Sequence, residues 1–211
     1  MILIGIVRYY LVSLQQGKLM QRTSQPRLPP RERILQAAES LFYQEGITRV
    51  TVDAIAGKAE STKMTLYRHF ASKEALVQAW ITLLIEDYNR VWEALAERYE
   101  QQPDMQIMGF ARYLKDNLAG TLQRGCPFTN TLAETTGQFP EIRELIFAHK
   151  KRQFNRLVSL CGAAGITDPQ TLAKEITLIL EGLQVVAQNE AFDGAADFVL
   201  QKLEDKLRLA M

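Results

Sequence analysis

The stretch TVDAIAGKAESTKMTLYRHF, residues 51–70, decides how this chain is read. Thr51 serves as the N-cap of a short helix, its hydroxyl accepting from an otherwise orphaned first-turn amide. Val52, Ile55, Ala56 and Ala59 then recur at helical spacing. Glu60 and Ser61 break that helix, and a second short one follows over residues 62–69, with Leu66 and Phe70 facing inward. Ala56 is small where the two helices must approach closely, and Ile55, Ala59 and Leu66 supply the packing. Lys63, Met64 and Tyr67 project outward from the start of the second helix.

Helical signals continue on both sides. Upstream, Ile34, Ala37, Ala38, Leu41 and Phe42 form the apolar stripe of an amphipathic helix that opens at Pro30. It closes at Gly46, where a left-handed terminal residue is expected. Downstream, Ser72 opens a long helix that runs to Pro103, with Leu76, Trp80, Leu83, Leu84, Val91 and Leu95 inward and Asp87 outward. Further helices are read over residues 104–121, 127–136 and from Pro140 to Gly162 or Gly165. Asp168-Pro169 pairs a capping acid with proline at the first helical position. The helix it opens carries Leu172, Ile176, Ile179, Leu180, Leu183 and Val186, and Asp193-Gly194 separates it from a last helix with Phe198, Leu203 and Leu207. No strand pattern, repeat or low-complexity tract is visible. The expected fold class is all-α: a three-helix N-terminal domain over 30–74, joined by a long helix to a helical domain over 75–211. Residues 1–29 are expected to be a disordered arm.

The first nineteen residues stand apart. Residues 2–14 form an apolar run broken by Arg8, too short to span a bilayer and without a small-residue cleavage pattern after it. Met20 is the expected native start, with 1–19 an extension from an early start codon; a membrane anchor is the minority reading. Net charge is only +1, but its distribution is uneven. Residues 20–73 hold nine Lys or Arg against five acids, whereas residues 74–211 hold 14 against 19. A basic front end on an acidic body suits a protein whose front end meets phosphate. Cys126 and Cys161 are too few for a disulfide framework or a thiolate cage, and read as reduced thiols used as small hydrophobes. No cofactor and no metal site is implied. His69 has only His149 as a fellow histidine, in a different domain. The chain has no GxSxG elbow, phosphate-cradling glycine loop, HExxH or spaced His/Asp/Glu cluster, so an enzyme is not expected and no catalytic residue is assigned.

Two short helices, the first holding the second so that a few of its N-terminal side chains reach base edges, are the parts of a helix-turn-helix. Here a resemblance becomes specific. Residues 33–76 resemble the DNA-binding domain of the tetracycline-repressor (TetR) family in four linked pieces: ILQAAESLF (34–42), EGITRVTVDAIA (45–56), TLYRHF (65–70) and SKEAL (72–76). They cover about a quarter of the chain; the rest agrees with the family only in length and helical character.

The resemblance implies phosphate contacts from Thr51 and Lys73 at helix starts, and backbone-facing roles for Tyr67 and His69. Thr62, Lys63 and Met64 would point into the groove. Lys63 is the best placed to read guanine, since its ammonium can donate to O6 and N7; a generic phosphate contact is its other reading, and a packing role is that of Tyr67. Two departures stand out. Glu60 occupies a position where many members carry Gly, so a non-glycine residue is expected in a turn favouring positive φ, at about 1 kcal/mol. Met64 replaces a small residue, and either reads a thymine methyl or fills space.

For the body, the resemblance implies a small molecule bound among the central helices and a homodimer through the last two helices, residues 168–189 and 193–209. A dimer would place two recognition helices on one face of double-stranded operator DNA at a spacing near ~34–36 Å. Candidate pocket residues are Tyr88, Trp92, Phe110, Tyr113, Asn117, Phe128, Glu134, Phe147 and Gln184, most of which also read as ordinary core. Glu134 is of interest if buried, since a buried carboxylate needs a cation or internal base; the alternative is a solvated position near Gly137. The lead-in Gly125-Cys126-Pro127-Phe128 resembles one in some members without naming a ligand. The implied function is a cytoplasmic transcriptional regulator, a repressor by analogy, released from its operator when an unknown effector shifts the dimer between two states. The competing classes are an enzyme and a ligand-binding or scaffold protein that has lost DNA binding.

Overall fold

The computed structural model describes residues 28–118, 120, 122–135 and 137–210. The expected arm and early start, residues 1–27, therefore lie outside the described residues. Among the described residues the architecture is all-α, with nine helices and no strand: α1 Pro30–Glu45, α2 Val52–Lys58, α3 Lys63–His69, α4 Lys73–Arg98, α5 Pro103–Leu118, α6 Pro127–Glu134, α7 Pro140–Ala163, α8 Pro169–Gln188 and α9 Ala195–Ala210. No helix among them is long and apolar enough to cross a membrane.

The helices form two compact units. The first holds residues 28–87 with Phe128–Ile146, and the second holds Tyr88–Pro127 with residues 147–210. In the first, α1, α2 and α3 pack on one another. Ile34, Ala38, Ile55 and Leu66 are closed from solvent, and Phe42 meets Trp80 with ring centroids 5.6 Å apart. Arg31 caps this core from outside, its guanidinium 5.1 Å from the Phe70 ring. In the second, α9 packs on α8 and α5, and α5 also on α8. Leu172, Ala173, Ile176, Leu180 and Leu183 of α8 face Leu203 and Leu207 of α9 as its apolar stripe.

Helix starts follow the sequence closely. Thr51, Thr62, Ser72 and Asp168 each accept from an amide three residues on, at 3.1, 3.1, 3.0 and 3.1 Å. One helix end differs from expectation. Gly46 does donate back to Phe42 O at 3.1 Å, but its φ of 89° and ψ of 151° lie outside the left-handed helical region, in a basin essentially restricted to glycine. The chain leaves α1 in an extended direction toward the buried Ile47 and Val50.

Asp87 is a correction. It was expected outward and is 1% exposed. Position 87 stands three residues after Leu84 and four before Val91, so helical geometry puts it on the buried stripe despite its charge. Glu39 of α1 is buried in the same unit, 4% exposed. Its burial, then the charge of Asp87, push its carboxyl up to about 7.

Candidate nucleic-acid interface

The two short helices are joined by a turn that the sequence makes at some cost. The Glu60 amide donates to Gly57 O at 3.0 Å and the Ser61 amide to Ala56 O at 2.9 Å, the crossed pair that closes a helix through a left-handed residue. That residue is Glu60, with φ 49°, as its place in the motif led us to expect. Arg33 reaches across from α1 and donates to Glu60 O at 3.4 Å. Ala56 and Ala59 are buried under the turn, so the start of α3 is fixed against α2 by packing as well as by hydrogen bonds.

On α3, positions 63, 64 and 67 lie on one side of the helix. Met64 is 83% exposed and Tyr67 45%, large apolar surfaces that the fold does not use. Thr51, Thr62, Lys63 and His69 are exposed as well, and Lys73 is half-buried. Three of these side chains already have local work, Thr51 as the cap of α2. The Thr62 hydroxyl accepts from the Thr65 amide and lies 2.9 Å from the Thr65 hydroxyl. Lys63 Nζ donates to Asp53 Oδ2 at 3.1 Å, an ion pair open to solvent on both sides. Such exposed pairs contribute about 0–1 kcal/mol, so Lys63 can exchange Asp53 for another acceptor at little cost. Sequence reading missed Asp53, whose ten-residue separation from Lys63 matches no intrahelical spacing.

Lys73 sits at the first turn of α4, where burial lowers its pKa and Glu134 acts in the opposite sense. Glu134, read from the sequence as a pocket candidate, lies in the first unit against the α1–α2 joint: Thr48 N donates to its Oε2 at 3.2 Å.

The second unit brings Tyr88, Trp92, Phe110 and Tyr113 together. Trp92 stacks on Phe110 at 4.3 Å, and Tyr88 meets Phe110 and Tyr113 edge-on at 6.0 Å each. Sequence reading left out His149, which is buried with its ring 5.5 Å from Tyr88. Burial, then Lys150, Arg152 and Arg156, lower its pKa to about 4, so the imidazole is neutral at physiological pH. Trp92 also donates to Gln153 Oε1 at 2.6 Å and lies under Arg156. Asn117 and Gln184 are buried, donating to Tyr113 O and Leu180 O. Phe128 is buried in the first unit, and Phe147 is 47% exposed. Both cysteines are buried. Cys126 lies 3.5 Å from Lys150, which also pairs with Glu181. Burial opposes the charge on Lys150, yet that sulfur and carboxylate hold its pKa above the ordinary value.

A capped helix, a tight left-handed turn and a second capped helix with its outer side chains unengaged by the core define a helix-turn-helix protein. Residues 34–80 match the family model described as bacterial regulatory proteins, tetR family. The chain is 32% identical over 96 residues to the probable HTH-type transcriptional regulator ArpR of Pseudomonas putida, covering 46% of this chain and 44% of that one. It is 38% identical over 72 residues to the HTH-type transcriptional regulator UidR of Escherichia coli K12, covering 34% and 35%. These matches span less than half the length of either curated relative. A crystal structure of SCO4454, a TetR-family transcriptional regulator from Streptomyces coelicolor, superposes with a TM-score of 0.79 at 26% identity, over 86% of this chain and 95% of that one. Residues 34–80 thus match the tetR family model, and the chain is similar in fold to a solved TetR-family regulator.

Proposed function

We propose that this chain is a DNA-binding transcriptional regulator, acting as a cytoplasmic homodimer and as a repressor that leaves its operator when a small molecule binds. Residues 30–74 are the DNA-reading part, and residues 75–211 the effector-binding and dimerising part. The observation that carries the reading is α3, whose inner side is locked into the core while Lys63, Met64 and Tyr67 stand in solvent. Lys63 reads a base edge, Met64 meets a thymine methyl and Thr62 points into the groove with them, while Thr51, Tyr67, His69 and Lys73 supply backbone contacts and register.

Self-association is supported by α8 and α9, which are apolar on two sides. Beyond their buried stripes, Leu178 is 74% exposed, Val185 51%, Phe198 57% and Leu209 84%. Leu178 and Val185 are seven residues apart, and Phe198 and Leu209 eleven, so each pair lies on one helix side. The effector site is the aromatic group of Tyr88, Trp92, Phe110 and Tyr113, with Asn117 and Gln184 as polar contacts. Gln184 Oε1 is buried without a hydrogen-bond partner, an acceptor a ligand could satisfy.

Fluorescence anisotropy on labelled DNA from upstream of the chain's own gene, at several salt concentrations, tests this reading. Nanomolar binding with a steep salt slope, weakened in both Lys63→Ala and Tyr67→Ala, is the expected result. Equal, weak binding by all three proteins, there and on sequences selected from a random pool, would refute it.

A further inference from the structure

We propose that Glu134, the last residue of α6, is a positioning residue for DNA binding: it seats the joint ahead of α2. This rests on the DNA-binding reading above. The joint is residues 46–50, between the end of α1 and the cap of α2. At Gly46 a Cβ would lie 2.7 Å from Glu134 Oε2 and 3.0 Å from Oε1, so a side chain there would displace the carboxylate. Two residues on, the Thr48 amide donates to Oε2 at 3.2 Å. Three residues further, Thr51 caps α2. The carboxylate thus grips the backbone immediately before the helix that supports α3.

Helix electrostatics alone would not put a carboxylate there. Glu134 ends α6 and lies against the end of α1, where unpaired carbonyls make the potential negative. Its compensation is the Thr48 amide. Glu134 therefore acts on DNA affinity by fixing the joint from which α2 starts.

Glu134→Gln keeps the shape and an acceptor for Thr48 but removes the charge; Glu134→Ala removes both. The probe is a labelled random-sequence duplex, for which phosphate contacts dominate and no operator need be known. Glu134→Gln is expected to bind as the wild type does, because its amide oxygen still accepts from Thr48. Glu134→Ala should bind about two- to fivefold less tightly, the range of one hydrogen bond at a half-exposed position, and its Thr48 amide should exchange with solvent faster than in the wild type. Unchanged affinity and Thr48 exchange in Glu134→Ala, with the wild type binding DNA normally, would overturn this proposal alone. A wild type with no salt-dependent DNA binding would overturn it together with the regulatory reading.

Discussion

Gly46→Ala is the sharpest test of how the α1–α2 joint is built. Alanine has to adopt φ 89° and ψ 151°, a basin that L side chains avoid at a cost of about 1–3 kcal/mol. Its Cβ would also stand 2.7 Å from Glu134 Oε2, well inside contact distance. Glu134 must then swing away and release the Thr48 amide; a hydrogen bond to a charged group contributes about 1.5–3 kcal/mol, less at a half-exposed site such as this. The sum is roughly 3 kcal/mol. For a chain of this size each kcal/mol lowers Tm by about 2–4 °C, so a fall of about 6–12 °C is expected in thermal unfolding. The two contributions separate in a double-mutant cycle. With Glu134→Ala already present, Gly46→Ala should cost only the backbone part, about 1 kcal/mol less than in the wild type. An equal penalty in both backgrounds would refute the contact as the cause.

Other expectations follow from the same structure. Glu60→Gly should raise stability by roughly 1 kcal/mol in denaturant melts, because glycine takes φ 49° without a Cβ penalty; a loss would mean that the Glu60 side chain contributes more than its backbone costs. Glu39 has its folded pKa raised from 4.5 to about 7, so the folded state holds a proton that the unfolded chain has released; stability must fall as pH rises from about 4.5 to about 7. Glu39→Gln should therefore match the wild type near pH 4 and exceed it by roughly 3 kcal/mol at pH 8, with equal melting curves at pH 8 as the opposing result. Replacing Leu178 and Phe198 by Asp should shift the protein to monomer in sedimentation without lowering helix content by circular dichroism; a retained dimer would place the interface elsewhere.

Much of this fold could be read locally. Thr51, Thr62, Ser72 and Asp168 announce helix starts because a cap needs only one side chain and an amide three residues later. Glu60 announced its strained turn because the surrounding motif dictates that geometry. Asp87 was misjudged by letting its charge outweigh its position on the stripe, when burial beside Glu39 shows that position decided. The contacts of Glu134 with Gly46 and Thr48 went unread because those residues are more than eighty positions away in sequence, and no periodicity reports such a contact. Lys63 was read correctly as exposed, but its pairing with Asp53 depends on how α2 meets α3, which is a property of the packed turn.

The chain contains two tryptophans, and the fold assigns one to each compact unit. Trp80 is buried beside Phe42 in the first. Trp92, in the second, lies between Phe110 and the Arg156 guanidinium, with its indole N–H held by Gln153. These surroundings differ enough that the two indoles should emit and quench differently, one buried beside a phenylalanine ring and the other beside an amide and a cation. Nature has thus installed a separate optical label in each half. With Trp80→Phe and Trp92→Phe, ordinary fluorescence can record whether the halves melt together or in sequence, and which of them responds first to an added compound.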